Sequence, residues 1–201
     1  METDSPIFGL GQCALDYIGM IATYPPPNVK CEFINMVTQG GGPVATALVA
    51  LSRWKLSCYF AGVVGDDAFG ATITDFLCEE GIDTSGLVVR NVHSSQFAFI
   101  VSEPDTGRRT ISWQRPTGIP LQPYELDLKV LRRSRALHTD GLFTEASLFA
   151  CRKAKEAGIP VIVDEGTFRE GMLDMVHLSD CFIVSETFSE VLAEDPLEPC
   201  R

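Results

Sequence analysis

The chain has 201 residues, 45% of them apolar, and carries 27 acidic against 16 basic side chains for a formal charge of −11. That apolar share suits one sizeable core and argues against a disordered chain. The longest apolar run, near Phe97 to Val101, is too short to cross a bilayer, and so acidic a surface repels nucleic acid and anionic lipid in bulk.

In chain order, Ile7 to Ile21 reads as one extended segment broken by Gly9 and Gly11, with Asp16 in its middle. Tyr24-Pro25-Pro26-Pro27-Asn28 ends it as a turn, and Cys31 to Thr38 is a weaker strand leading into Gly40-Gly41-Gly42-Pro43. Val44 to Trp54 has the pattern of a helix, with Pro43 at a favourable first position. Ser57 to Val64 is a buried strand. Gly65-Asp66-Asp67-Ala68-Phe69-Gly70 opens a second, amphipathic helix over residues 67–80, with Phe69, Ile73, Phe76 and Leu77 on one face.

Leu87 to Arg90 is strand-like. Gln96 to Ser102 and Arg109 to Gln114 flank a Pro/Asp/Gly turn at residues 103–107 and so form a hairpin. Beyond the Pro116-to-Pro120 loop the pattern alternates: strand at Ala136 to Thr139, helix at Thr144 to Ala157, strand at Ile159 to Val163. It continues with a helix at Phe168 to Val176, a strand at Cys181 to Val184 and a short helix at Thr187 to Ala193. Successive βα units of that length imply an α/β fold with a parallel sheet and right-handed crossovers.

The seven cysteines form no CxxC pair, and several lie in apolar elements, where free Cys acts as a small hydrophobe. Neither a disulfide framework nor a metal site is expected from their spacing. Met-Glu-Thr-Asp-Ser-Pro lacks a basic region followed by an apolar stretch, so no secretory signal is expected and the cytoplasm is the default compartment.

Gly41-Gly42 ahead of a helix, the segment Gly65-Asp66-Asp67-Ala68-Phe69-Gly70 and Asp16 upstream together resemble the ribokinase-like (PfkB) carbohydrate kinases, over residues 7–190. The resemblance implies a single, C-terminally incomplete ribokinase-like domain: a parallel sheet flanked by helices, with a small β lid built from about residues 16–40 and 87–116. It implies ATP-dependent phosphorylation of a sugar or sugar-like hydroxyl, with ATP and Mg2+ as cofactors of the complete family and a homodimer through the lid in some relatives. Asp16 corresponds to the carboxylate that accepts hydrogen bonds from sugar hydroxyls; an ionised carboxylate is all acceptor and suits that role. Gly41, Gly42 and Thr46 correspond to the positions around the sugar, with Thr46 where the family usually has Asn. Arg115 sits where acid-sugar kinases place an arginine and could clamp a carboxylate; it also reads as a solvated residue at a hairpin end.

Asp164 and Arg169 follow a strand at the carboxyl edge where parallel sheets bind ligands, and a structural ion pair between them is the other reading. With Ser185 and Glu186 they are candidates for a phosphate or nucleotide side. Many relatives carry Asn-x-x-Glu where this chain has Ser185-Glu186-Thr187-Phe188. The family's Gly-Ala-Gly-Asp segment, which supplies the catalytic base and the anion hole, is absent from these 201 residues, so no catalytic residue is assigned and the chain alone is expected to be inactive.

Two other readings compete. One is a non-catalytic module that binds sugar or dimerises through the lid. The other is a dinucleotide-binding enzyme, prompted by Gly9-Leu10-Gly11-Gln12-Cys13-Ala14, but the residues that follow look like strand, where that fingerprint needs a helix. His138, at a strand end, reads as a core or rim histidine.

Overall fold

The computed structural model describes residues 5–166 and 171–186. Within them two sheets form. The larger is a six-stranded, wholly parallel sheet of β1 (Ile7–Leu10), β4 (Cys58–Gly65), β5 (Asp83–Arg90), β8 (Ala136–Thr139), β9 (Val161–Glu165) and β10 (Cys181–Val184), in the order β10-β9-β8-β1-β4-β5. The smaller, the lid, joins β2 (Ala14–Met20), β3 (Asn35–Gly41), β6 (Phe97–Glu103) and β7 (Arg108–Gln114) in the order β3-β2-β6-β7.

Helices cover both faces of the large sheet. On one, α1 (Pro43–Arg53) and α2 (Ala68–Glu79) bury Val44, Leu48, Ile73 and Leu77 against Cys58, Phe60 and Val64. On the other, α3 (Leu128–Arg132) and α4 (Thr144–Glu156) pack with Phe8, Leu10, Leu137, Val161 and Val163. The inward residues of α4 are small (Ala146, Ala150, Cys151, Ala154), so its axis sits close to the strands. Every residue of β4 is buried, as a central strand covered on both faces requires. A short α5 (Leu173–Val176) precedes β10.

Three expectations change. Residues 7–21 are two strands in different sheets: the chain leaves the core after Leu10 and joins the lid at Ala14, so Asp16 lies on the second strand. The segment 87–90 belongs to the core, because β5 pairs in parallel with β4; the second lid segment therefore starts at β6. The glycines Gly40 and Gly41 are themselves strand, which begins at Asn35 rather than Cys31. The helix expected at residues 187–193 lies outside the described residues.

Candidate functional site

The lid register builds the site. Asp16 pairs with Gln39 on β3 and with Ala98 on β6, and Ala98 pairs with Trp113 on β7. Laterally paired residues share a face, so Gln39, Asp16, Ala98 and Trp113 form one row across the sheet. With strands about 4.8 Å apart, Asp16 and Trp113 stand about 10 Å from each other. The next row on that face, Val37, Ile18, Ile100 and Ile111, is aliphatic. The opposite face carries Tyr17, Phe97 and Phe99, which pack through Phe69 onto α2, with Phe69 and Phe97 rings centred 5.0 Å apart.

Asp16 is half-buried, and burial raises its carboxyl above the ordinary value of 3.8. Its carboxylate lies directly against Gly41, where a Cβ would overlap both carboxylate oxygens. Gly42 caps α1 at φ +103°, a left-handed conformation, with Gln12 carbonyl against the place of a side chain. The glycines thus bring the start of α1 to the foot of β2. Gln12 N–H in turn donates to the buried Asp140 at 2.8 Å, and Asp140 accepts from Leu142 N–H at 3.0 Å. Asp140 therefore pins the crossing from core to lid.

Arg115 is exposed and stacks over Trp113, its guanidinium carbon 5.0 Å from the ring centre. Among the described residues it has no ion pair, so a cation stands beside the Asp16 row held by the indole. Thr46 is exposed on α1 and makes no hydrogen bond to Asp16. It lines a cavity of about 410 Å³ between α1, α2 and β3, together with Gly40, Val49 and Phe76 but not Asp16.

Asp164 at the end of β9, and Ser185 and Glu186 after β10, gather at the carboxyl ends of neighbouring strands. Ser185 Oγ donates to the Gly166 carbonyl at 2.9 Å, closing the two strand ends together. Arg169 lies outside the described residues, and so does any pairing with Asp164. His138 is half-buried in β8, and burial lowers its basicity. The Gly9-to-Ala14 string leads into β2, a strand, so the helix start that a dinucleotide needs is not there. Sequence reasoning missed Gln39 and Asp140. Gln39 is legible only from the lid register, and Asp140 only from its contact with residue 12.

A parallel sheet wrapped by helices, with a four-stranded lid bearing a carboxylate against a glycine strand, is a ribokinase-like α/β fold. The chain belongs to the pfkB family of carbohydrate kinases, whose family pattern matches residues 7–198. It is 26% identical over 197 residues to fructokinase-2 of Oryza sativa subsp. japonica, covering 90% of this chain and 57% of that protein. It is 28% identical over 131 residues to the 5-dehydro-2-deoxygluconokinase of Photobacterium profundum, covering 62% of this chain and 40% of that protein. Its fold matches Arabidopsis thaliana ribokinase, solved with ribose and ATP, at a TM-score of 0.74 and 19% identity over 96% of this chain and 64% of that one. The chain thus spans 57% and 40% of the lengths of these two curated relatives.

Proposed function

We propose that this chain is the sugar-binding, lid-bearing part of an ATP-dependent kinase that phosphorylates a hydroxyl of a sugar or sugar-like molecule. The observation that carries the reading is the half-buried Asp16 carboxylate set against Gly41 in one row with Gln39 and Trp113. An ionised carboxylate and an amide offer acceptors and a donor to a polyol, and the indole offers a flat apolar wall to its C–H face. Gly41 and Gly42 let the Asp16 carboxylate and the Gln12 carbonyl close onto the backbone, which sets that carboxylate beside the start of α1. Arg115 adds a cation at the far end of the row, so we read the substrate as a sugar that carries an anionic group.

Asp164, Ser185 and Glu186 lie at the edge where the phosphate donor would enter. Their oxygens are hard donors, which suits a magnesium ion carried on phosphate oxygens. Bound there, the ion would neutralise charge on the transferring phosphoryl group. The base and the anion hole are assigned to the portion of the family that this chain does not span, so the 201 residues bind substrate and turn it over poorly or not at all. Free cysteines fit a reducing compartment, and we place the protein in the cytoplasm.

Calorimetry with D-fructose, D-ribose and D-gluconate in the absence of ATP tests the half-site, and ADP release with the same panel tests turnover. Saturable heat with one sugar and no ADP release is the expected result. Absence of heat with every sugar, or robust turnover by the 201-residue protein, refutes one half of the reading each.

The aliphatic row Val37, Ile18, Ile100 and Ile111 supports a second reading, a lid that pairs with the lid of another copy. Val37 and Ile111 remain 42% and 46% exposed in the single chain, a loss that a second lid would remove. Ile111→Lys should then convert a dimer on size-exclusion chromatography with light scattering into a monomer. A wild-type monomer at all concentrations removes this reading.

A further inference from the structure

The segment Gly65-Asp66-Asp67-Ala68-Phe69-Gly70 does more than begin a helix. Asp67 caps α2, its Oδ1 accepting from the Gly70 N–H at 2.8 Å. The same carboxylate receives two bonds from a residue at the base of the lid: Ser95 Oγ donates to Oδ1 at 2.7 Å, and Ser95 N–H donates to Oδ2 at 2.9 Å. Ser95 is fully buried, and its Oγ also accepts from the Gly65 N–H at 2.9 Å. The following residue, Gln96, presents its carbonyl to the Leu15 N–H at 3.1 Å. Leu15 adjoins Asp16.

An unbroken path therefore runs from Asp67 through Ser95, Gln96 and Leu15 to Asp16. It links the cap of a core helix to the strand that holds the ligand-facing carboxylate. The chain's return from the lid is tied to the same loop, with Ser94 N–H donating to Thr117 Oγ1 at 3.0 Å and Thr117 N–H to the Ser94 carbonyl at 3.2 Å. Asp66, by contrast, accepts from the exposed loop N–H of His93 at 3.3 Å and lies off the path.

We propose that Asp67 and Ser95 are positioning residues that set where β2, and with it Asp16, stands over the carboxyl edge of the core sheet. The proposal rests on the reading of Asp16 as the ligand-binding carboxylate. Its physical basis is the concentration of bonds on one buried hydroxyl. Removing it leaves the buried Gly65 N–H without its acceptor and the half-buried Asp67 carboxylate short of one charge-assisted donor. A helix cap with no further duty would affect α2 alone.

Ser95→Ala, Asp67→Asn and Asp66→Asn, made in the 201-residue protein, separate these cases. Amide hydrogen exchange needs no ligand. Ser95→Ala and Asp67→Asn should speed exchange about fivefold or more over residues 15–18 and 96–99, while residues 58–64 and β9 stay as in the wild type. Asp66→Asn should leave residues 15–18 unchanged. Titrations with D-fructose and D-gluconate, followed by Trp113 fluorescence in a Trp54→Phe background, read the ligand side; the chain has two tryptophans. Ser95→Ala should weaken whichever probe binds by about tenfold. If Ser95→Ala does not fold, Ser95→Cys, a weaker donor and acceptor, takes its place with a smaller expected increase in exchange. Unchanged exchange over residues 15–18 in both path variants overturns the proposal, and so does loosening confined to α2. If neither probe binds the wild-type protein, the ligand reading of Asp16 fails, and exchange alone decides the positioning role.

Discussion

The Asp16 carboxylate rests on the α-carbon of Gly41, so closely that a methyl group there would occupy the same space. The neighbouring lid strands β2 and β3 thereby share one small volume. Gly41→Ala should displace the carboxylate and cost at least tenfold in sugar affinity by calorimetry, since a hydrogen bond to a charged group contributes about 1.5–3 kcal/mol. Gly42→Ala acts differently. It forces a side chain into a left-handed conformation against Gln12, so thermal melting should show a loss of about 2 kcal/mol in stability.

Asp16 gives the site a pH dependence. Burial raises its folded value above 3.8, so its contribution to stability is present below the unfolded value and lost as pH rises through the folded one. Ligand hydroxyls donate to the ionised form and pull the other way. Sugar affinity should therefore rise as pH climbs through the raised value, with protons released on binding. Calorimetry in two buffers of different ionisation enthalpy measures the release, and Asp16→Asn should abolish it.

Arg115 sets charge preference in the proposed site. Held over Trp113 and unpaired among the described residues, it presents a planar fork to a carboxylate. Arg115→Ala should weaken D-gluconate about tenfold or more while leaving D-fructose within about twofold, read from the two dissociation constants. Equal losses for both sugars would show that the arginine acts on lid structure and not on charge.

The return from the lid depends on Arg90, whose guanidinium meets Glu125 in two bonds of 2.6 and 2.7 Å and also donates to the Ile119 and Pro120 carbonyls. The Arg90 side chain holds the Glu125 carboxyl below its ordinary value of 4.5. That stability is present above the unfolded value and lost as pH falls through the lowered one. Glu125→Gln should cost about 2 kcal/mol at neutral pH and flatten the acid limb of a denaturation profile.

Much of the fold was legible in periodicity. The strands Ala136–Thr139 and Cys181–Val184 have the bounds their apolar pattern implies, and α1 starts where Pro43 predicts. The break between β1 and β2 was not legible. Apolar residues continue on both sides of it, and the chain turns there because residue 12 is held by Asp140, distant in sequence. The helix α3 is five residues long, too short for a period to show, and stands on its Asp127 cap. In the site, Asp16 and Gly41 could be paired from sequence through the resemblance. Their neighbours Gln39 and Trp113 could not, because a row across a sheet depends on register, and a slip of one residue turns every side chain to the other face.

The lid pairs β2 with β6 in parallel, Leu15 opposite Phe97, across the whole of α1, β4, α2 and β5. Such pairing carries the entropy of a long closed loop and forms late. During synthesis the strand that carries Asp16 leaves the ribosome early yet has no central neighbour until the hairpin arrives. A nascent chain interrupted before residue 97 would therefore carry the carboxylate beside Gln39 and Gly41 but without the half of the lid that brings Ala98 and Trp113.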